Sequence, residues 1–255
     1  MADKDFTEDA ILGGALTLRQ PRRGHRVGHD AVLLAAAAPA RPGEHAIEFG
    51  AGIGAAGLAL ARRVAGLRVT LIEIHRGLAT LAEENIAANR LSERVRAITL
   101  DVTAPARFFT APELAPAPAQ CVRRKPPFND PSRQNVSPDA QRRRAHAAPR
   151  ETLAQLVRRA SSLLAPSGTL TLIWRADGLA DVLAALGRGF GGIAVLPVHP
   201  KPGAAAIRIL VGATKGSRAP LALLSGLTLN DADGRPTAEA EAVLRGGEAL
   251  RPARP

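Results

Sequence analysis

A glycine-rich segment followed by a distant carboxylate is the first feature that could do chemistry. The segment Glu48-Phe49-Gly50-Ala51-Gly52-Ile53-Gly54 follows a short apolar run and precedes a helical stretch. Glycine accepts a positive φ and lets the backbone approach a ligand closely, and the first turn of a helix has N–H groups without intrahelical partners. Glu73 ends the next apolar run, where a carboxylate can accept hydrogen bonds from two ribose hydroxyls. The pattern predicts a nucleotide-binding turn.

Two kinds of nucleotide cofactor fit this turn, and a tight turn without a ligand is the third alternative. The spacing Gly50-x-Gly52-x-x-Ala55 satisfies the dinucleotide fingerprint. Glu48 precedes the first glycine, where its carboxylate can meet a cationic amino acid end better than a pyrophosphate. Asp101 closes the third predicted strand, where it can accept from an adenine amino group or, alternatively, cap a turn. These two carboxylates favour S-adenosylmethionine over NAD.

The elements that must position these residues alternate between apolar runs and Ala- and Leu-rich helical stretches. The predicted strands are His45–Phe49, Leu67–Ile74, Val95–Leu100, Cys121–Lys125, Thr169–Trp174, Ile193–Pro197 and Ile207–Ala213, and the predicted helices are Ala55–Ala65, Leu78–Asn89, Thr152–Leu164 and Leu179–Leu186. This alternation is typical of a parallel sheet covered on both faces, while the short loop before the last strand leaves no room for a crossover helix. We expect an α/β fold with a Rossmann-like, seven-stranded, mostly parallel sheet and a C-terminal antiparallel hairpin.

Two further motifs make the pattern specific. Lys125-Pro126-Pro127-Phe128 follows the fourth predicted strand, and Arg26-Val27-Gly28-His29-Asp30-Ala31-Val32-Leu33-Leu34 precedes the first. Together with the glycine-rich segment and its carboxylates, they give a sequence that resembles the class I S-adenosylmethionine-dependent methyltransferases. More narrowly, it resembles the bacterial valine-tRNA adenine-N6 methyltransferases, a group with an Asn/Asp-Pro-Pro-aromatic motif. The resemblance runs from about Leu16 to Ala213.

The resemblance implies methyl transfer to an exocyclic amino group, with adenine N6 in tRNA as the leading substrate. The Pro126 carbonyl would accept a hydrogen bond from that amino group, and Phe128 would stack on the flipped base. The implied catalytic residues are Lys125, Pro126, Pro127 and Phe128. The implied S-adenosylmethionine-binding residues are Gly28 and Asp30, around the amino acid end of the cofactor, with Glu48, Gly50, Gly52, Glu73 and Asp101.

Lys125 departs from the motif, because the family has Asn or Asp at that position. A protonated lysine has three donors and no acceptor, so it cannot accept from an amino group. It would also repel the cationic sulfonium by about 4 kcal/mol at ~4 Å and an effective dielectric constant of ~20, or roughly 10³-fold in rate. A neutral lysine, with its pKa lowered by burial, would escape this repulsion. Arg123 and Arg124 are equally unusual in a central strand, where buried cations need carboxylate partners.

These departures leave several interpretations open. Either the site is catalytically inactive, or it is rebuilt for another substrate, or the local sequence differs from that of the natural gene. Lys125 motivates one alternative function, an S-adenosylmethionine-binding, RNA-binding protein without catalysis. The resemblance implies a second, a methyltransferase for protein side-chain amides, since some Pro-Pro-aromatic relatives have that activity.

The charge balance predicts a polyanionic partner. Lys and Arg number 34 against 23 Asp and Glu, giving a net charge of +11. The segment from Cys121 to Arg150 holds eight basic and two acidic residues beside the Pro-Pro-Phe motif. Arginine suits phosphate through its forked donors. We expect tRNA or another RNA to bind there, although a solvated loop would show the same composition. The candidate RNA-binding residues are Arg22, Arg23, Arg142, Arg143 and Arg144.

Composition excludes several other classes. The chain is 46% apolar and has one cysteine, Cys121, so it forms no disulfide framework or cysteine-based metal site. The six histidines show no metal-ligand spacing, and no apolar run approaches the ~20 residues of a membrane span. We expect a cytoplasmic protein without a metal or membrane partner; the oligomeric state is left open. We divide the chain into an N-terminal segment (1–30), a methyltransferase domain (31–215) and a C-terminal extension (216–255).

Overall fold

Strands and helices alternate along the chain, as the computed structural model shows for residues 5–22, 26–109, 114, 119–124 and 150–250. The strands are β1 Phe6–Ile11, β2 Leu16–Pro21, β3 His45–Phe49, β4 Arg68–Glu73, β5 Val95–Thr99, β6 Ala119–Arg124, β7 Leu164–Arg175, β8 Phe190–His199, β9 Arg208–Lys215, β10 Ala222–Leu223 and β11 Leu227–Thr228. The helices are α1 His29–Ala37, α2 Ala55–Arg63, α3 Arg76–Ala88, α4 Arg150–Leu163, α5 Leu179–Leu186 and α6 Ala238–Leu244.

One mixed sheet of nine strands forms the centre of the described structure. Its order is β10-β8-β9-β7-β6-β3-β4-β5, and β11 also pairs with β8. Among the described strands, β9 runs antiparallel to β7 and β8, whereas the other pairings in this sheet are parallel. The carboxyl ends of β3, β4, β5, β6 and β7 therefore meet at one edge of the sheet, where ligands bind in open α/β folds.

Apolar cores cover both faces of this sheet because successive strand side chains point in opposite directions. Leu71 of β4 belongs to the core under α1, α2 and α3. Its neighbour Ile72 belongs to the core under α4 and α5. Strands buried on both sides read as continuous apolar runs, which explains why the sequence predicts β3 and β4 well.

A separate antiparallel hairpin of β1 and β2 precedes the main sheet. In β2 the residues Leu16, Leu18 and Gln20 are buried, and the intervening residues are more exposed. This period of two is typical of a half-buried strand. The hairpin was not among the predicted elements, although the alternation in β2 was readable in the sequence.

The expected α/β fold is confirmed, but the count of seven strands is wrong. The last two predicted strands do pair antiparallel, as β8 and β9. The added strands, β10 and β11, come from the C-terminal extension and have two residues each. Two residues are too few to display any periodicity, so the sequence could not indicate them.

The C-terminal extension also packs against α1, in the N-terminal part of the chain. Leu227, Val243 and Leu250 join the apolar core that contains α1, and the Leu250 N–H donates to the Ala36 carbonyl at 3.0 Å. None of the helices in the described ranges is long and apolar enough to span a membrane.

Candidate functional site

The strand order reverses at β3, and this reversal creates the crevice that holds the candidate site. From β3 the chain proceeds to β4 and β5 on one side, then returns to β6 on the other. Phe49, the last residue of β3, is in register with Ile72 of β4 and with Arg124 of β6. In open α/β sheets, ligands bind at such a switch point, beyond the carboxyl ends of the strands.

The glycine turn between β3 and α2 lies directly at this crevice. Gly50 and Gly52 have φ values of 63° and 58°, which residues with a side chain rarely adopt. A Cβ atom built on either glycine would meet no heavy atom within 4 Å. The space beside the turn is therefore open, and glycine keeps it available for a ligand.

At Gly54, glycine is required by the packing of the turn and not by the approach of a ligand. Its φ is 88°, and an added Cβ would come within 2.9 Å of Leu71 Cδ1. The three glycines of the turn thus divide into two that border open space and one that lets α2 start against β4.

Glu73, at the end of β4, is tied to the glycine turn. It is 5% exposed. Its Oε2 accepts from the Gly52 N–H at 2.8 Å, and its Oε1 accepts from the His75 N–H at 2.9 Å. A carboxylate has about four lone-pair positions, so each oxygen retains capacity for another donor. The predicted ribose contact stays a prediction, and the carboxylate also orders the turn.

Glu48 lies inside the protein, against α2. It is 2% exposed, and a Cβ on Gly57 of α2 would come within 2.8 Å of its Oε2. Across the sheet its Cα is in register with that of Arg123. The expected contact of Glu48 with a cationic ligand stays a prediction.

Asp101 follows β5 at the same edge of the sheet. Its Oδ1 accepts from the Thr103 N–H at 2.8 Å and from Thr103 Oγ1 at 2.7 Å, the turn-capping arrangement that the sequence left as its alternative. Arg159 of α4 holds the following residues, donating to the Val102 carbonyl at 3.3 Å and to the Ala104 carbonyl. The loop is thereby anchored, and the adenine contact stays a prediction.

Gly28 and Asp30 lie at the start of α1. Gly28 is the N-cap residue in an extended conformation, and Asp30 lies in the first turn, where a negative charge is favoured by the helix dipole. Arg208, the first residue of β9, donates from Nε to Asp30 Oδ2 at 3.3 Å. Arg208 was not among the predicted site residues, because nothing in the local sequence links it to a position 178 residues away.

The N-terminal hairpin holds the segment that leads into α1. Gln20, 3% exposed, accepts from the Val27 N–H at 3.0 Å and donates to Asp9 Oδ2 at 2.8 Å. Arg26 donates to the same oxygen at 2.8 Å. The hydrogen bonds from Thr7 and Gln20, together with Arg26, hold the pKa of Asp9 below its usual value, although burial opposes the shift. These contacts fix the backbone just before Gly28.

Two asparagines, one on α3 and one at its C-terminal cap, attach this hairpin to the rest of the protein. Asn85 and Asn89 are 1% and 8% exposed, and both bind backbone groups of β2. Sequence reasoning missed them, although two asparagines spaced by four residues on a buried helix face are a readable anomaly, since buried amides require hydrogen-bond partners.

Part of the predicted site lies outside the described residues. This holds for the motif Lys125, Pro126, Pro127 and Phe128, and for Arg23, Arg142, Arg143 and Arg144. Of the predicted RNA-binding residues, Arg22 is described, and it is exposed. Within the described ranges, no three His, Cys, Asp or Glu side chains group as metal ligands would.

Known proteins match this architecture. A family model described as lysine methyltransferase matches residues 30–111. The tRNA1(Val) (adenine(37)-N6)-methyltransferase of Tolumonas auensis is 30% identical over 155 residues, 60% of this chain and 61% of that protein. The Porphyromonas gingivalis protein of the same name is 34% identical over 161 residues, 62% and 61% of the two chains. The matched region spans about three fifths of these relatives.

A solved structure extends the match. The crystal structure of a predicted O-methyltransferase from Agrobacterium tumefaciens superposes with a TM-score of 0.72 and 29% identity, covering 87% of this chain and 98% of that one. The names of these proteins agree on methyl transfer and differ in the acceptor: lysine, an oxygen or a tRNA adenine. The family match ends at residue 111, before the segment in which the acceptor motif lies.

Proposed function

We propose that this protein is a class I S-adenosylmethionine-dependent methyltransferase and that it methylates an exocyclic amino group, with adenine N6 of a tRNA as the acceptor. The observation that carries the proposal is the strand switch between β3 and β6. The glycine turn follows β3, and in the sequence Lys125-Pro126-Pro127-Phe128 comes directly after β6. A donor and an acceptor bound by these two segments would therefore meet at one crevice.

The residues around the glycine turn fit the cofactor. When bound, S-adenosylmethionine supplies an electrophilic methyl group on its sulfonium. The open space beside Gly50 and Gly52 permits the backbone to approach a ligand. The remaining lone pairs of Glu73 suit ribose hydroxyls, and Asp101 would accept from the adenine amino group. Gly28 and Asp30 would enclose the amino acid end, opposite the buried Glu48.

The proposed binding of the methyl acceptor depends on the motif Lys125-Pro126-Pro127-Phe128. The Pro126 carbonyl would accept a hydrogen bond from the target amino group and orient its nitrogen lone pair. Phe128 would stack on the extruded base. Lys125 would have to be neutral here, because only an unprotonated amine can accept from the substrate and avoid repelling a cationic donor.

The charge of the chain supports RNA as the polyanion. The net charge is +11, and the segment beside the acceptor motif is its most basic part. The names of the curated relatives specify a tRNA adenine, a cytoplasmic substrate that agrees with the compartment expected from the sequence. We further propose that residues 31–215 form the methyltransferase domain and that residues 1–30 contribute to its cofactor pocket.

Transfer of labelled methyl groups tests the proposal. The unaltered chain and Lys125→Asn are incubated with labelled S-adenosylmethionine and undermodified tRNA, and label in N6-methyladenine is counted. Activity in both proteins supports the proposal with a neutral Lys125. Absence of S-adenosylmethionine binding in isothermal titration would refute the proposal.

Lys125 favours one alternative: a protein that binds cofactor and RNA without catalysing transfer. Activity in Lys125→Asn alone would identify this state, because the asparagine oxygen restores an acceptor. Label that appears in a protein fraction and not in RNA would instead identify a methyltransferase for side-chain amides. Binding of tRNA by the chain should weaken steeply with salt, since arginine–phosphate contacts release counterions.

A further inference from the structure

We propose that Asn85 is a positioning residue that couples docking of the N-terminal hairpin to the glycine turn of the cofactor site. The inference rests on the proposed function, because it takes the turn from Gly50 to Gly54 as the place where S-adenosylmethionine binds. Asn85 itself would not touch the cofactor. It would act through the backbone of Ile53, the residue between Gly52 and Gly54.

Three hydrogen bonds of Asn85 to described residues carry the argument. Its Oδ1 accepts from the Arg19 N–H at 2.7 Å, and its Nδ2 donates to the Arg19 carbonyl at 3.0 Å. The side-chain amide therefore pairs with β2 as a neighbouring strand would. The same Nδ2 donates to the Ile53 carbonyl at 3.1 Å. Asn85 is 1% exposed, so none of these bonds exchanges readily with water.

Asn89, one helical turn later, makes a closely matched set of contacts. Its Oδ1 accepts from the Thr17 N–H at 3.0 Å, and its Nδ2 donates to the Thr17 carbonyl at 2.7 Å. The third contact differs, because Nδ2 donates at 2.8 Å to the Asn85 carbonyl, within α3 and its C-terminal cap. Both asparagines dock the hairpin on α3, but of the two only Asn85 reaches the glycine turn among the described residues.

The hairpin transmits this contact to the other side of the cofactor site. Arg19, which Asn85 holds, is followed in β2 by Gln20, whose side chain accepts from the Val27 N–H at 3.0 Å. Val27 precedes Gly28, the N-cap residue of α1. A continuous series of hydrogen bonds and covalent links thus joins Ile53 to Gly28. These are the two backbone segments that would contact opposite parts of the cofactor.

This connection predicts a reciprocal effect. If a ligand at the glycine turn stabilises the arrangement that Asn85 holds, then ligand binding must strengthen hairpin docking, and hairpin docking must strengthen ligand binding by the same factor. Loss of Asn89 would loosen the hairpin without removing the contact to Ile53. Loss of Asn85 would remove both.

The test compares Asn85→Ala with Asn89→Ala in the full-length chain. The affinity for S-adenosylhomocysteine is measured by isothermal titration, and amide hydrogen exchange of β2 is followed with and without that ligand. We expect Asn85→Ala to raise the Kd about tenfold, the size of one lost buried hydrogen bond, and Asn89→Ala to raise it less than about twofold. The ligand should slow exchange of β2 in the unaltered chain and in Asn89→Ala, but not in Asn85→Ala.

The outcomes separate this inference from the proposed function. Equal increases in Kd for the two variants, with equal ligand effects on β2 exchange, would make both asparagines merely structural and overturn the coupling. No binding of S-adenosylhomocysteine by the unaltered chain would overturn the proposed function and this inference with it. If Asn85→Ala does not fold, the same comparison is made with Asn85→Ser and Asn89→Ser, which shorten the side chain but retain a polar group.

Discussion

The backbone N–H of Gly52 donates to Oε2 of Glu73 at 2.8 Å, and this bond joins the turn after β3 to the end of β4. The second oxygen of Glu73 accepts from the His75 N–H at the start of α3. One buried carboxylate therefore orders both backbone segments that border the crevice, and it does so with capacity left for a ligand hydroxyl.

Replacing Glu73 with glutamine tests this arrangement. The amide nitrogen cannot accept, so one of the two backbone donors loses its partner. We expect the free energy of unfolding to fall by about 1–3 kcal/mol and the affinity for S-adenosylhomocysteine to fall about tenfold. Urea unfolding and isothermal titration measure the two effects. Glu84→Gln is the control, because Glu84 is half exposed; a similar loss there would contradict the assignment.

The glycines of the turn should respond differently to alanine. Gly54→Ala should lower the free energy of unfolding by about 2–4 kcal/mol, since a positive φ of 88° and a 2.9 Å approach to Leu71 both oppose a Cβ. Gly52→Ala should lower it by about 1–2 kcal/mol but weaken S-adenosylhomocysteine binding more than tenfold, because the Cβ enters the open space. Thermal unfolding and titration separate these effects. Equal binding by the unaltered chain and Gly52→Ala would contradict the proposed position of the cofactor.

The ion pair between Asp30 and Arg208 should contribute measurably to stability. Their side chains are 17% and 28% exposed, so solvent screens them less than a surface pair. A double-mutant cycle with Asp30→Asn and Arg208→Gln should give a coupling free energy of about 1 kcal/mol. The comparison cycle uses Glu241 and Arg245, whose side chains are 41% and 76% exposed and should couple by less than about 0.5 kcal/mol. Equal coupling in the two cycles would be inconsistent with the expectation.

The hairpin should lose stability in acid through Asp9. Hydrogen bonds from Thr7 and Gln20, and the charge of Arg26, hold the pKa of Asp9 below its usual value in the folded protein. A group with a lowered folded-state pKa stabilises the fold above its unfolded-state pKa, near 4, and this contribution is lost as the pH falls through the lower value. The difference in unfolding free energy between the unaltered chain and Asp9→Asn should therefore shrink from pH 6 to pH 3. A difference that does not change over this range would exclude the mechanism.

Local patterns were sufficient for the central architecture. The buried runs of β3 and β4 are continuous apolar segments, and the glycine turn between β3 and α2 has an explicit spacing. The hairpin of β1 and β2 was missed, although β2 alternates, because β1 does not alternate clearly: its burial pattern varies only between half-buried and exposed. The count of seven strands was wrong because β10 and β11 pair through two residues each.

What the sequence by itself determined is the order of the elements from β3 to β9 and the edge of the sheet at which the candidate residues lie. Periodicity selects strand or helix, and parallel strands bring their carboxyl ends to one side, so Gly50, Glu73 and Asp101 had to lie near one another. Only the tertiary structure decided which distant groups hold the segments around this edge. Asn85 binds Arg19 across 66 residues, and Arg208 binds Asp30 across 178. A single amide or guanidinium side chain forms no periodic pattern in the sequence, and its partner is set by how the helices pack. Such contacts are therefore seen only in the folded chain.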